Sequence, residues 1–442
     1  EIRMGRSVKA ASITGVKHAI FTSIDADLVT MVSALCLFFL AAASVKGFGM
    51  TLALGIICDI AMMLIFKAPL IRLLAPKVIA KHPGFWGIKD SIDASKGYAE
   101  LAAAEGVPEA EAETAAQMNA AETRVVAEGE GEEGSVAVTA VRKIKGRFIK
   151  HDINFLGYRK VFLTVAAVAM VACLAIVGFR GLNFGIEFVG GTSVTFHGTG
   201  DVTTEQVRDA FSDAGEPDAV IQTTTADGEP GFLVRTTTTS AEDATVTANE
   251  VADTFGWTTD SFEVTTIGPD WGASVIQSSA IAFFISLLLI IAYISIRFRD
   301  PKMGVTAVVA LLHDLIIVVG VYVLVGREIT PNTIAALLTI LGYSLYDTVV
   351  VFHRINENMK DESVKCTFAT MANHSVNEVL VRSLNTSITS LIPVVAMLLF
   401  GGETLKDFAL AMTIGLVCGC YSSYAIATPL YVIWKTHEPR FK

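Results

Sequence analysis

The chain has 442 residues, 52% hydrophobic and 18% charged, with a formal net charge of -10 and a mean hydropathy of +0.53. So apolar a composition lies outside the soluble range and demands helices embedded in lipid. The acidity is concentrated between positions 181 and 272, where sixteen Asp and Glu face two Arg and no Lys, a poor surface for nucleic acid or anionic lipid.

The first residue is Glu1, with no charged n-region or cleavage site behind it, so the sequence reads as an internal piece of a longer chain. Positions 1–21 are basic and polar; apolar runs at about 24–43 and 48–71 then predict a transmembrane hairpin, closing a first domain at 1–72. From 73 to 150 Ala, Glu and Gly dominate, with EGEGEEG at 128–134, which predicts a mobile cytoplasmic linker. Its basic end (Arg142, Lys143, Lys145, Arg147, Lys150) suits the inner side of a third apolar helix, 161–179, within a segment 151–180.

The acidic stretch 181–272 alternates with period two at 184–197, 219–225, 231–237 and 261–267, and has helical spacing at 203–214 and 241–255. The order strand, helix, two strands, helix, strand predicts a ferredoxin-like α+β domain. Five further runs, 274–297, 303–325, 333–354, 379–400 and 405–434, predict a five-helix bundle over 273–435 and a tail at 436–442. Loops rich in Lys and Arg (RFRDPK at 297–302, the segment 354–378 and the tail) go to the cytoplasm; GREIT, GGETLKD and the acidic domain go outside. The predicted fold class is a polytopic α-helical membrane protein with eight transmembrane helices and an extracytoplasmic ferredoxin-like domain.

Six cysteines (Cys36, Cys58, Cys173, Cys366, Cys418, Cys420) lie in apolar runs or in segments assigned to the cytoplasm, so no disulfide framework is implied. A constant shift of 360 residues lays the first hairpin on the last without a gap: Ser23 on Ser383, Lys46 on Lys406, Phe48 on Phe408, Gly55 on Gly415 and Cys58 on Cys418. Both copies run the same way through the membrane by the charge count. The repeat is therefore of the parallel kind.

Asp347 stands among Leu, Val and Phe in LGYSLYDTVVVFHRINEN (341–358). An ionised carboxylate in hydrocarbon costs at least ~2.5–3.5 kcal/mol, so it requires a partner, water or a proton. The bland alternative is a shorter helix with Asp347 among the headgroups. The run 379–400 carries Arg382, Asn385, Thr386 and Thr389 as one polar stripe, and at ~1.5 Å rise per residue Arg382 and Asp347 come to similar depth on antiparallel helices. The two are candidates for a pair that protonation opens; the alternative is an Arg382 that snorkels to phosphate. His313 and Asp314, at mid-depth in 303–325, either extend a proton path or hydrogen-bond a neighbouring helix. Asp25, Asp27 and Asp59 are assigned to the membrane edge. Gly185, Glu187, Gly190 and Gly191 in GIEFVGGT mark the hinge where the third helix hands over to the acidic domain. No nucleotide-binding loop, metal-spaced cluster or activated nucleophile is present in the sequence pattern, so no catalytic or metal residue is assigned.

GIEFVGGT (185–192), LLHDL (311–315), LGYSLYDTVVVFHRINEN, and RSLNTSITSLIP with LFGGETLKDFALAMTIG (382–415) resemble the SecF membrane subunits of bacterial protein export; TSIDADLVTMVSALCLFF and VKGFGMTLALGI resemble the last two helices of SecD. The resemblance implies a SecD–SecF fusion of the RND superfamily with its front half absent from this sequence. It implies a plasma-membrane location beside a SecY-type channel, other Sec accessory subunits and unfolded preprotein as partners, and H+ as the coupling ion with Na+ as alternative, without a bound cofactor. It also places the proton-coupling Asp on Asp347 and the intramembrane Arg on Arg382. The sequence departs from the family pattern at Tyr346 (usually Asn), His353 (usually Asp) and Asp27 (usually Asn). The expected function is proton-driven promotion of preprotein export and release. A proton-coupled RND small-molecule exporter is the rival, disfavoured because an outer domain of about ninety residues leaves little room for a drug pocket; a scaffold without ion coupling is the third.

Overall fold

The computed structural model describes residues 8–41, 43–85, 153–197, 199–200, 202–226, 229–257, 262–360 and 366–438. Most of the predicted linker therefore lies outside the described residues. Among those described, eight helices are long and apolar enough to cross a membrane: Val8–Leu40, Val45–Ile79, Arg159–Arg180, Gly272–Phe298, Pro301–Val325, Pro331–Met359, Phe368–Phe400 and Leu405–Lys435. A helix satisfies its backbone polar groups internally, which is what allows these apolar runs to lie in lipid.

In chain order, α1 (Val8–Leu40) and α2 (Ala43–Met62) form the first hairpin, prolonged by α3 (Ala68–Leu74). The helix α4 (Arg159–Arg180) and the single turn α5 (Ile186–Val189) lead into the sheet domain, which comprises β1 (Gly191–His197), α6 (Thr204–Asp213), β2 (Val220–Ala226), β3 (Glu229–Thr236), α7 (Ala241–Phe255) and β4 (Phe262–Ile267). Then come α8 (Pro269–Phe298), α9 (Pro301–Val325), α10 (Pro331–Met359), α11 (Phe368–Phe400), α12 (Glu403–Ser422) and α13 (Thr428–Lys435).

The sheet order is β2-β3-β1-β4 with every neighbour antiparallel, the ferredoxin-like arrangement. Val194, Phe196, Ile221, Phe232 and Val234 point to one face and bury Val207 and Phe211 of α6 and Ala248, Val251 and Ala252 of α7. A capping box between Thr203 and Gln206 starts α6.

Several boundaries differ from the sequence reading. The helices α1 and α11 begin at Val8 and Phe368, well before the apolar runs at 24 and 379, and the second span continues to Ile79, beyond the expected end at 72. Hydropathy marks where a segment is apolar, whereas helical hydrogen bonds run on through polar turns. The stretch 184–190, expected as the start of a strand, is instead the turn α5. Gly190 and Gly191 that follow it have φ of 80° and 128°. At Gly191 any Cβ would stand 2.4 Å from the Thr236 carbonyl, so only glycine lets β1 approach β3 here.

The repeat is visible in the backbone. The helices α1 and α11 are both 33 residues long and α2 and α12 both 20, each pair offset by 360 at both ends. A widened π turn follows in each copy, Met63–Lys67 and Ser423–Ala427, just ahead of Pro69 and Pro429. Proline has no N–H and crowds the carbonyl four residues back, and the wider turn relieves that crowding. The rings of Phe48 and Phe408, equivalent positions, lie 5.1 Å apart, so an axis relating the copies passes between them.

The bundle is organised around α10, whose most apolar stretch is 78% buried, against 6% for α11 and 6% for α4. It packs most extensively against α1, α12 and α11. Close approach to α12 depends on Gly419, where a Cβ would meet the Ser344 Cα at 2.9 Å.

Candidate functional site

Asp347 lies on the buried face of α10, 7% exposed, inside a membrane-length helix rather than at its edge. Ser387 Oγ of α11 donates to its Oδ2 at 3.1 Å, and Ser383, one turn earlier on the same helix, is buried on the same face. The direct Asp347–Arg382 contact suggested by their depth is not formed among the described residues. Arg382 is exposed, although near enough for its charge to act on the carboxylate. The physical reason is direction: Ser383 and Ser387 occupy the face of α11 turned to α10, and Arg382 and Asn385 point away from it. Thr386 and Thr389 direct their hydroxyls back to the α11 carbonyls of Arg382 and Asn385. The stripe thus exists but lies on a surface that the described residues leave uncovered.

A second polar centre sits deeper. Asp314 of α9 is fully buried; its Oδ2 accepts from Ser344 Oγ of α10 at 2.6 Å and from Ser422 Oγ of α12 at 2.7 Å. His313 Nδ1 lies 3.0 Å from Asp314 Oδ1, and His313 Nε2 lies 3.3 Å from the Tyr421 hydroxyl. One α10 turn beyond Ser344, Thr348 meets Ser423 at 2.8 Å, at the π turn. Three helices are thereby tied by one carboxylate with all its contacts made.

Charged clusters close the two ends of the bundle. At the sheet-domain end, Glu328 pairs with Arg235 of β3 and accepts from Gln222 Nε2 of β2 at 2.9 Å, while Arg327 pairs with Asp407 at 3.2 Å. Burial pulls the Arg235 guanidinium below the ordinary arginine range, and the carboxylates of Glu187 and Asp407 counter that pull. Glu187 lies in the turn α5, two residues after Gly185, and its Oε2 is buried. At the opposite end, Asp25 receives both Arg297 Nε and Nη2 at 2.7 and 2.6 Å, with His353 Nδ1 at 3.6 Å. Asp25 is therefore 6% exposed and clamped to α8 at this end of the bundle. Asp300 holds Tyr431 and Lys435 of α13, Arg354 pairs with Glu378, and Asn373 and Asn377 grip the backbone of Ile153 and Leu156 ahead of α4. The loops thus gather at two ends in the grouping given by the Lys and Arg count.

Ser387, Ser344, Ser422 and Glu328 were not singled out in the sequence. Serines are common in such helices, and only the 360-residue repeat, which lays Asp27 on Ser387, could have pointed to one of them. Among the described residues no group of His, Cys, Asp or Glu is placed to hold a metal.

Residues 246–437 match the family described as "Protein export membrane protein SecD/SecF, C-terminal", and residues 175–199 the "SecD/SecF GG Motif", which contains Gly185, Glu187, Gly190 and Gly191. The SecF protein translocase subunit of Streptomyces coelicolor is 34% identical over 296 residues, covering 65% of this chain and 78% of that protein. The chain belongs to the SecD/SecF family. The SecDF protein translocase subunit of Thermus thermophilus is 31% identical over 456 residues, covering 99% of this chain. The crystal structure of that organism's SecDF, a translocon-associated membrane protein, superposes with a TM-score of 0.75 at 28% identity over 99% of the chain. The chain spans 51% of the length of the SecDF relative in both comparisons. As a SecD/SecF protein it is a multi-pass membrane component of protein translocation, not an enzyme.

Proposed function

We propose that this SecD/SecF chain uses the proton motive force to promote export and release of preproteins, with Asp347 as the coupling acid. The observation that supports it best is a carboxylate buried in α10, held by the Ser387 hydroxyl, with the Arg382 charge nearby and, among the described residues, no ion-pair partner in contact. Taking up a proton there removes a charge from a low-dielectric site, so the packing preferred by α10 and α11 differs between the two protonation states. Arg382, Asn385 and Thr389 are available to an upstream SecD half, which would complete the ion path; His313 and Asp314 are a further station on it. The hinge at Gly185, Glu187, Gly190 and Gly191 joins this bundle to the sheet domain.

In this reading the protein sits in the bacterial plasma membrane beside a SecY-type channel and other Sec accessory subunits. The sheet domain faces outward, where it handles unfolded preprotein, and the linker faces the cytoplasm. Na+ is the alternative coupling ion. The test is export in membrane vesicles carrying the full-length protein. Collapsing the proton gradient removes the stimulation; stimulation that follows a Na+ gradient reassigns the ion, and stimulation that survives loss of both sinks the reading. Orientation is checked separately: a membrane-impermeant thiol reagent labels Val246→Cys, on an exposed position of α7, from the outer side of intact cells. Labelling only after the cells are opened inverts the topology.

A further inference from the structure

The sheet domain is joined to the bundle through α4–α5 and through β4–α8, and it also meets the loop 326–330 between α9 and α10. In that loop Ile329 N donates to the Asn183 carbonyl at 2.7 Å, and Gly185 N donates to the Ile329 carbonyl at 3.0 Å, a short parallel bridge to the hinge segment. The Ile329 side chain packs with Phe188 and Val275. One residue before it, Glu328 is 4% exposed and takes both its partners from the sheet, Arg235 and Gln222. Val220 lies opposite Arg235 in the ladder, so Gln222, two residues on, projects from the same sheet face as Arg235. That face is opposite the one carrying Ile221 and Val234 against α6 and α7. One residue after Ile329, Thr330 caps α10 in a capping box with Thr333, whose Oγ1 also reaches the Glu328 carbonyl at 3.5 Å.

Glu328 is thus fixed at the head of the one helix that carries Asp347, with a buried charge held by two strands of the sheet domain. We propose that Glu328 is a positioning residue that keeps the sheet domain in register with α10, so that a tilt of α10 is delivered to β2 and β3 through the Gln222–Glu328–Arg235 contact. The tilting of α10 rests on the coupling role of Asp347; the hold itself does not. Removing one member of a buried ion pair strands the other charge without a partner, and the stranded charge favours any arrangement that restores it to water. For this contact that arrangement is a sheet domain lifted from the loop.

The experiment measures the distance between spin labels at Val246→Cys on α7 and Phe400→Cys at the end of α11, both exposed. It uses the full-length protein in membranes, in a background from which the six native cysteines of this chain have been removed. The native contact gives one narrow distance distribution. Glu328→Gln and Arg235→Met each add a second, broad population, the lifted-to-seated ratio rising roughly a hundredfold as expected for a broken buried pair. The double reversal Arg235→Glu with Glu328→Arg returns the narrow distribution, which distinguishes lost positioning from damaged folding. An unchanged distribution in both single variants, or a reversal no better than either, overturns the proposal. The distances are read without an ion gradient, so an Asp347→Asn protein that exports normally would remove the coupling role and leave this result standing.

Discussion

Asp347→Asn removes the gradient-dependent part of export and leaves the protein inserted and assembled. The amide has the shape of the carboxyl group and keeps an oxygen to accept from Ser387 Oγ, now 3.1 Å from Oδ2. What it cannot do is bind and release a proton, so the site is frozen in a neutral state. Stability is unchanged or raised, because an ionised carboxylate at such a depth carries a penalty of at least ~2.5–3.5 kcal/mol that the amide does not. The expected loss of gradient-stimulated export is at least about tenfold, the effect of about 1.4 kcal/mol on one step. Ser387→Ala deletes one hydroxyl donor and lowers stimulation only several-fold, in line with about 1 kcal/mol for a single hydrogen bond. The measurement is preprotein export into energised vesicles, with protein amount and detergent-extracted melting temperature as controls. Full stimulation by the Asn variant would remove Asp347 from the mechanism and leave the fold and family untouched.

Asp314→Ala acts in the opposite way, on stability before transport. The carboxylate is wholly buried and accepts from Ser344 and Ser422 on two other helices, with His313 at 3.0 Å. Alanine leaves each of those donors without an acceptor at about 1–3 kcal/mol apiece, a large share of the ~5–15 kcal/mol that holds a typical domain together. The expected result is a bundle that melts earlier in detergent and accumulates poorly in the membrane. Asp314→Asn retains one acceptor oxygen and recovers most of that loss. The pair also decides the role of the site: if Asp314→Asn restores both stability and export, Asp314 is a structural tie, and if it restores stability alone, Asp314 belongs to the ion path.

The eight spans were legible because burying twenty or so apolar residues in lipid leaves a composition signal that no other context produces. The alternation of strands and helices in the acidic stretch was legible for a similar reason, each strand facing a core on one side only. The segment 184–190 was not, because Phe184, Ile186 and Phe188 alternate as a strand would. Two glycines with left-handed φ, and not hydrophobic pattern, end the α5 turn and start β1 after it. Asp347 stood out as a carboxylate in an apolar run. The donor it meets did not, since which side of α11 faces α10 is fixed by packing around Ser383 and Ser387, and a polar stripe in sequence carries no information about which neighbour covers it. The Glu328–Arg235 pair was equally invisible, its members lying in different domains. The clamp on Asp25 was not legible either, because charge near the end of an apolar run ordinarily means water, whereas here Arg297 reaches it from α8.

The widened turns ahead of Pro69 and Pro429 have a consequence for how the last span tolerates change in length. A π turn accommodates one residue more than an α turn, and each residue advances a helix by about 100°. Deleting a single residue within Ser423–Ala427 would let the helix close to ordinary pitch and swing everything after it by that angle, carrying Tyr431 and Lys435, now 3.0 and 2.8 Å from Asp300, out of reach. The surplus residue therefore sets the rotational phase of the terminal helix, and it makes this stretch intolerant of shortening even though it lies in the middle of an otherwise regular span.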